Sequence, residues 1–248
     1  MRSGGVLSAL TGAMAGLICA AQTAAAQTPY LKAPVAPALA VQSPWYLEGA
    51  AGAFWRMDAS RSATFRNLDT GARGPGTNTT TFDPGPIVFL GLGYRLPAGF
   101  RIEGELGYAH YASATVNPLS TDGTFPLLNG RTLSLQSGGG YNRYSAMVDG
   151  FYDFPRFGWA VPYVGLGVGA VYTQSQQAHF TSPDGTVGFT QFPGNSTHAA
   201  IAAEAGLAFA LDPKWSVLPA YRFEHLFTTG NAFPNDANIF KLGFHYSM

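Results

Sequence analysis

The sequence is poor in charge. Lys, Arg, Asp and Glu together make up 11% of its 248 residues, and 14 basic groups cancel 14 acidic ones. Ordinary soluble domains carry roughly 25%. Without a basic excess there is no electrostatic case for nucleic acid. Cysteine is almost absent. The one thiol, Cys19, falls in the N-terminal leader, so the rest of the chain can form no internal disulfide. Gly16-Leu17-Ile18 is also a poor lead-in to a lipidated cysteine. Long apolar runs are missing as well, and no segment reads as a membrane-spanning helix. What the chain has instead is 31 glycines and 14% aromatic residues. That balance suits a transmembrane barrel better than a soluble enzyme.

Residues 1–26 read as a cleaved export signal. Arg2 supplies the positive start, Val6 to Ala21 is apolar and small, and Ala24-Ala25-Ala26 offers the cleavage site. Residues 27–44 carry Pro29, Pro34, Pro37 and Pro44 among Ala and Val, and read as an extended periplasmic arm. The barrel is expected over residues 45–248.

The end of the chain sets the pattern. Phe240, Leu242, Phe244, Tyr246 and Met248 alternate with Lys241, Gly243, His245 and Ser247, a period of two and hence a strand. Seven more segments repeat it: Trp45–Asp58, Ile87–Leu96, Phe100–Ala109, Arg143–Phe154, Tyr163–Thr173, His198–Leu211 and Trp215–Glu224. The charges keep to one side. Glu48, Arg56, Asp58, Arg95, Arg101, Glu103, Glu105, Arg143, Asp149, Asp153, Glu204, Arg222, Glu224 and Lys241 all fall opposite the apolar residues. His225 alone breaks the rule, if its strand extends so far. An Arg or Lys facing lipid at the midplane costs roughly 2–4 kcal/mol, which would produce this partition.

The expected fold is therefore all-β, an eight-stranded antiparallel transmembrane up-and-down β-barrel. Trp45, Trp55, Tyr94, Tyr108, Tyr144, Tyr152, Phe154, Tyr172 and Trp215 suit aromatic girdles at the two interfaces. Eight strands leave a bore that side chains just fill. The fourteen charged residues named above are expected to pair there as a lumen ion-pair network. With eight acids and six bases it is close to neutral, which argues against a strongly ion-selective pore. Three connections are short, at Pro97–Gly99, Pro155–Ala160 and Asp212–Lys214. Four are long, at Ala59–Pro84, Ala112–Gly140, Gln174–Thr197 and Phe227–Ala237, and read as solvated outer loops with room for function.

Pro162-Tyr163-Val164-Gly165-Leu166-Gly167-Val168-Gly169 and the final strand resemble the small outer-membrane β-barrel family of Gram-negative bacteria, the porin-like surface proteins related to the OmpA membrane domain. The resemblance covers about Trp45 to Met248 and implies residence in the cell outer membrane. It also implies an assembly signal in Lys241, Gly243, Tyr246 and Met248, read by the barrel assembly machinery. The family usually ends in Phe, where this chain ends in Met248. Other implied partners are outer-membrane lipid and lipopolysaccharide, with host or phage ligands at the loops.

No catalytic, cofactor or metal residue is assigned. Gly165-x-Gly167-x-Gly169 lacks the spacing and following helix of a nucleotide loop, and reads as glycines making room in the bore. Glu103-x-Glu105 reads as part of the ion-pair network rather than a metal pair. Barrels that deacylate lipid A carry a Ser two residues after a lipid-facing His, but here Phe227 follows His225. His110, His179, His198 and His245 show no ligand spacing. The first expectation is a structural, surface-exposed protein serving envelope integrity, antigenicity or adhesion. The second is a narrow porin-like channel, and the third, remote, is a lipid A-modifying enzyme.

Overall fold

The computed structural model describes residues 43–67, 71–128, 130–227 and 235–248. The expected export signal and nearly all of the arm lie outside the described residues. Among these there are thirteen strands: β1 (Trp45–Arg56), β2 (Ala59–Arg66), β3 (Arg73–Phe82), β4 (Gly85–Arg95), β5 (Phe100–Ser120), β6 (Leu133–Gly138), β7 (Gly140–Asp153), β8 (Ala160–Ser175), β9 (Ala178–Thr181), β10 (Gly188–Gln191), β11 (Gly194–Ala210), β12 (Trp215–Phe227) and β13 (Asn235–Ser247).

Eight of them form a closed ring in chain order: β1, β4, β5, β7, β8, β11, β12 and β13, each antiparallel to its neighbours. The seam closes where β13 pairs with β1, from Tyr46 opposite Ser247 to Arg56 opposite Ala237. Closure removes both sheet edges, so every ring strand has a hydrogen-bonding neighbour on each side, which a bilayer demands.

The outward face is grease. Leu47, Leu90, Leu106, Val148, Leu166, Val168, Ile201 and Phe240 are 43–73% exposed. A soluble monomer rarely shows a contiguous apolar patch beyond a few hundred Å², whereas this one runs around the ring. Aromatic pairs bound it at both ends. Trp45–Tyr94, Phe100–Tyr152, Trp159–Phe209 and Trp215–Tyr246 stand at the end of the short turns, with centroids 4.5–5.0 Å apart. Trp55–Phe240, Tyr221–Phe240 and Tyr108–Tyr144 stand at the other end, 5.1–5.2 Å apart. Inside, Gly165, Gly167 and Gly169 lie opposite Phe151, Asp149 and Met147 in the β7–β8 register. A Cβ on any of the three would collide with the facing side chain, so this glycine run is a recess in the wall.

Three of the long connections fold further than the sequence suggested. They supply β2, β3, β6, β9 and β10, which join the far half of β5 in a second sheet, ordered β2-β3-β5-β6-β9-β10, that caps one end of the ring. Phe65, Val116, Leu133, Ala178, Phe180 and Val187 form its own apolar core. The sheet curls until its two edge strands meet through Phe65 and Phe189, edge to face at 5.9 Å. A register shift between Thr81 and Phe82 puts one extra residue into β5 beside Ser113. Up to that point the odd-numbered residues of β5 face inward, and from Val116 the even-numbered ones do. An extra residue flips the phase of a strand, and here it aims Val116 into the cap. The last long connection falls largely on residues 228–234, outside the described residues.

Two cap turns repeat one sequence. Ser120-Thr121-Asp122-Gly123-Thr124 and Ser182-Pro183-Asp184-Gly185-Thr186 each bring the Ser hydroxyl to the Asp carboxylate, which also accepts the Thr backbone N–H. Each Ser oxygen then accepts the N–H of the following apolar residue, Phe125 or Val187. Gly123 and Gly185 sit at φ 76° and 69°, a region costly for other residues.

Candidate functional site

The bore is filled by charge. Glu48, Arg101, Glu103, Glu105, Arg143, Asp149, Glu204, Arg222, Glu224 and Lys241 are each at most 6% exposed. All project from the inward phase of ring strands, so the alternation that puts Leu and Val into lipid puts these groups together.

They are stacked in layers. Nearest the cap, Arg143 pairs with Glu224 and lies 5.2 Å over the Phe54 ring. Next, Arg222 reaches Glu105 at 3.0 Å, Asp149 at 3.1 Å and Glu204 at 3.4 Å. β12 and β5 stand four places apart in a ring of eight, so the Arg222–Glu105 bridge spans the full bore. Lys241 then binds Glu48 and Glu105 at 3.0 Å and Glu204 at 3.1 Å. Tyr163 donates its hydroxyl to Glu204 at 3.0 Å. Toward the short turns, Arg101 binds Asp153 at 3.0 Å and the Tyr46 hydroxyl at 3.2 Å, with its guanidinium 4.0 Å from the Phe151 ring.

Four of the residues expected in this network sit elsewhere. Asp58 lies beyond the end of β1 and is exposed, because the strand stops at Arg56 and the chain turns into the cap. Arg56 is half-buried at the cap end, its guanidinium 4.3 Å over Phe82. Arg95 is at the turn end, stacked 4.7 Å over Tyr46 and donating to Ser247 Oγ at 3.1 Å. Asp153 is at the rim, its side chain 30% exposed, and joins through Arg101. Of the terminal-strand residues, Lys241 is in the bore, Gly243 lies beside Glu48, Tyr246 packs on Trp215 and Met248 is 45% exposed.

Some contributors carry no mark in the sequence. His245 Nε2 is 2.7 Å from Glu48 Oε2, its ring stacked on Tyr46 with centroids 4.4 Å apart. Its period-two position shared with Lys241 is the available signal. One donor atom each from Glu48, Glu103 and His245 lie within 4.8 Å of one another, a grouping invisible to linear spacing. Asp236 corrects the charge partition. β13 begins at Asn235 rather than Asn238, so Asp236 points outward and faces His225 across the β12–β13 ladder. The two are joined at 2.6 Å, and Phe227 meets the imidazole edge to face at 5.0 Å. An outward carboxylate is tolerable because this pair lies at the cap-end interface, not at mid-bilayer. Thr228, Thr229 and Asn231, close to His225 in sequence, lie outside the described residues.

Between the uppermost layer and the cap is a cavity of about 270 Å³. Phe54, Phe82, Tyr111 and Tyr141 form an aromatic wall, and Arg143, Glu224, Gln191 and His198 line it too. Tyr111 and Tyr141 stack nearly parallel at 5.1 Å, and Gln191 donates to the Tyr141 hydroxyl at 2.9 Å.

Residues 11–247 match the family model described as the outer membrane protein beta-barrel domain. No curated protein matches at a significant level. Among solved structures, the chain is similar to Neisserial surface protein A, at 13% identity over 83% of this chain and 98% of that one, with a TM-score of 0.43. It is similar to OprG of Pseudomonas aeruginosa, at 15% identity over 82% and 95% of the two chains and a TM-score of 0.49. The attachment invasion locus protein of Yersinia pestis gives 15% identity over 81% and 97%, with a TM-score of 0.36. The family match runs through nearly the whole chain and agrees with a closed ring that turns its grease outward: the chain belongs to the outer-membrane β-barrel proteins of Gram-negative bacteria.

Proposed function

We propose that the chain is a non-catalytic, non-conducting barrel that anchors a folded cap at the cell surface, serving envelope integrity and surface recognition. The observation that carries this reading is the Arg222 bridge to Glu105 on the opposite wall, with Lys241 directly beneath it. A hydrated ion would have to break several buried ion pairs to pass. Barrels of this family keep short turns in the periplasm and long connections outside, which directs the cap to the exterior. There its polar face is available to host or phage ligands.

Lipopolysaccharide fits the outward face at the cap end. Tyr108 donates to Asn142, and Tyr172 accepts from Gln174 and Asn195, giving hydroxyls and amides where sugar headgroups lie. On the terminal strand, Lys241, Gly243, Tyr246 and Met248 are the residues through which the assembly machinery would read the chain. The second reading, a narrow channel, draws on the cavity above the Arg143–Glu224 layer, which gives solutes an outer vestibule.

Planar-bilayer recording decides between them. The expected result is a silent membrane with the folded protein inserted. Steady unitary openings would overturn the non-conducting reading in favour of the channel.

A further inference from the structure

We infer that Glu48, Glu103 and His245 bind one divalent transition-metal cation of the Zn²⁺ type inside the bore. The site goes beyond the functional reading above and does not depend on whether the barrel conducts.

Glu103 is the starting point. It is 1% exposed, and neither carboxylate oxygen makes a hydrogen bond of good geometry. The charged and polar groups around it are Glu48, Lys241, the Tyr46 hydroxyl and Arg101, and Lys241 is itself bound to Glu48, Glu105 and Glu204. Arg101 stands 3.8 Å away and is already engaged by Asp153 and that same hydroxyl. A buried carboxylate left in that condition is strongly destabilising. The surrounding charge points the same way. Glu48, Glu103, Glu105, Asp149 and Glu204 are five buried carboxylates around three buried cations, Arg101, Arg222 and Lys241. The excess is two negative charges, the charge one divalent cation supplies.

The donors converge where that excess lies. One ligand atom from each of Glu48, Glu103 and His245 falls within 4.8 Å of the others. One imidazole nitrogen with carboxylate oxygens is a donor set suited to zinc and its neighbours. The pocket is built for them. Gly91 lies directly opposite Glu48 in the β1–β4 register, and a Cβ there would stand 2.5 Å from Glu103 Oε1. Its bare backbone lets the two carboxylates meet. Tyr46 holds the His245 ring from one face, and Lys241 holds Glu48 through the other oxygen, Oε1. Partners of this kind orient metal ligands. The bound ion would tie β1, β5 and β13 together and so pin the seam where β13 closes on β1.

The test uses the untagged, folded barrel in detergent, stripped with a chelator and titrated with Co²⁺ and with Zn²⁺. The expected result is one ion per chain, a visible Co²⁺ band and a raised unfolding temperature. Glu103→Gln and His245→Ala should each weaken Co²⁺ binding by at least about tenfold, the range seen on losing mere supporting partners. Glu224→Gln, in the layer nearest the cap, should leave it unchanged. Binding that survives Glu103→Gln in folded protein would overturn the site. So would a Glu103→Gln barrel that is more stable while the wild type ignores the metal, since a proton would then be supplying the charge. If neither variant folds, the wild type decides alone: no saturable one-to-one binding, or no paramagnetically shifted imidazole with Co²⁺, rejects the proposal.

Discussion

The bore and the cap are both β-structure, yet they are built inside out relative to each other. In the bore, the inward face holds Arg222, Lys241 and their carboxylates, and the outward face holds Leu90 and Leu166. In the cap, Phe180, Val116 and Leu133 are within, while Asp122, Asp184 and Arg131 are on the surface. β5 belongs to both, with Glu103 and Glu105 in one half and Val116 in the other. The same period-two backbone serves both, and the solvent outside decides which set of residues is buried. The two cores should therefore fail differently. Trimming an apolar side chain in the cap loosens only its immediate surroundings, whereas a charge deleted from the bore leaves its partners buried with less to offset them.

The largest effect is expected from Arg222→Ala. It strands Asp149 in the bore and leaves Glu105 and Glu204 to Lys241 alone. Breaking a buried pair by removing one partner costs about 3–5 kcal/mol. Urea unfolding in detergent should register that as a loss of barrel stability, and an unchanged midpoint would mean that the bore tolerates a deletion as locally as the cap does. Phe180→Ala comes next, at about 3 kcal/mol for a buried aromatic. Its damage should stay in the cap. Limited proteolysis should cut the cap strands while the barrel keeps its folded, heat-sensitive gel mobility. Joint loss of both would show that the cap and ring form one cooperative unit.

The ring is legible in the sequence because lipid imposes one rule on every strand that crosses it. Each membrane strand has to be apolar on alternate residues, so eight segments stand out. The cap obeys no such uniform rule. β9 and β10 are four residues each, too short to show a period. β3 reads Arg-Gly-Pro-Gly-Thr-Asn-Thr-Thr-Thr-Phe, polar on both faces. The cap core is assembled from single residues far apart in the chain, such as Phe65 and Phe180. Misplacements in the bore have the same origin at smaller scale. Asp58 keeps the phase of a strand that stops two residues earlier, and Asp236 belongs to one that starts three residues sooner than its alternation shows. His245 looks isolated because only the first-to-last strand pairing sets it opposite Glu48.

His225 and Asp236 offer a smaller test, at the boundary between the two regions. They face the interface on the outward side and are partly open to solvent. A double-mutant cycle through His225→Gln and Asp236→Asn should return a coupling of about 0.2–1 kcal/mol, because solvent reaching the His225 side screens the pair. A coupling of several kcal/mol would mean that the pair is shielded like those of the bore.

The smallest effect concerns acid and the cap alone. Asp184 accepts from the Ser182 hydroxyl, from Arg131 Nη1 at 2.9 Å and from the Thr186 N–H, and these bonds hold its carboxyl well below the ordinary value. Asp122, with Thr124 and Ser120 in the same turn, is lowered for the same reason. A carboxyl depressed in the folded state contributes stability above its unfolded value, here near 3.8, and loses it as the pH falls through the folded value. Both carboxylates are exposed, so solvent screens the gain and it is modest. Pepsin, active in that window, should begin to cut at Ser182–Val187 below about pH 4 while the ring stays intact. Asp184→Asn should make that turn open to cutting at the upper edge of the window and flatten its response to further acid. A cut rate independent of pH in the wild type would mean that Gly123 and Gly185 alone hold the turns and that the repeated carboxylates contribute nothing.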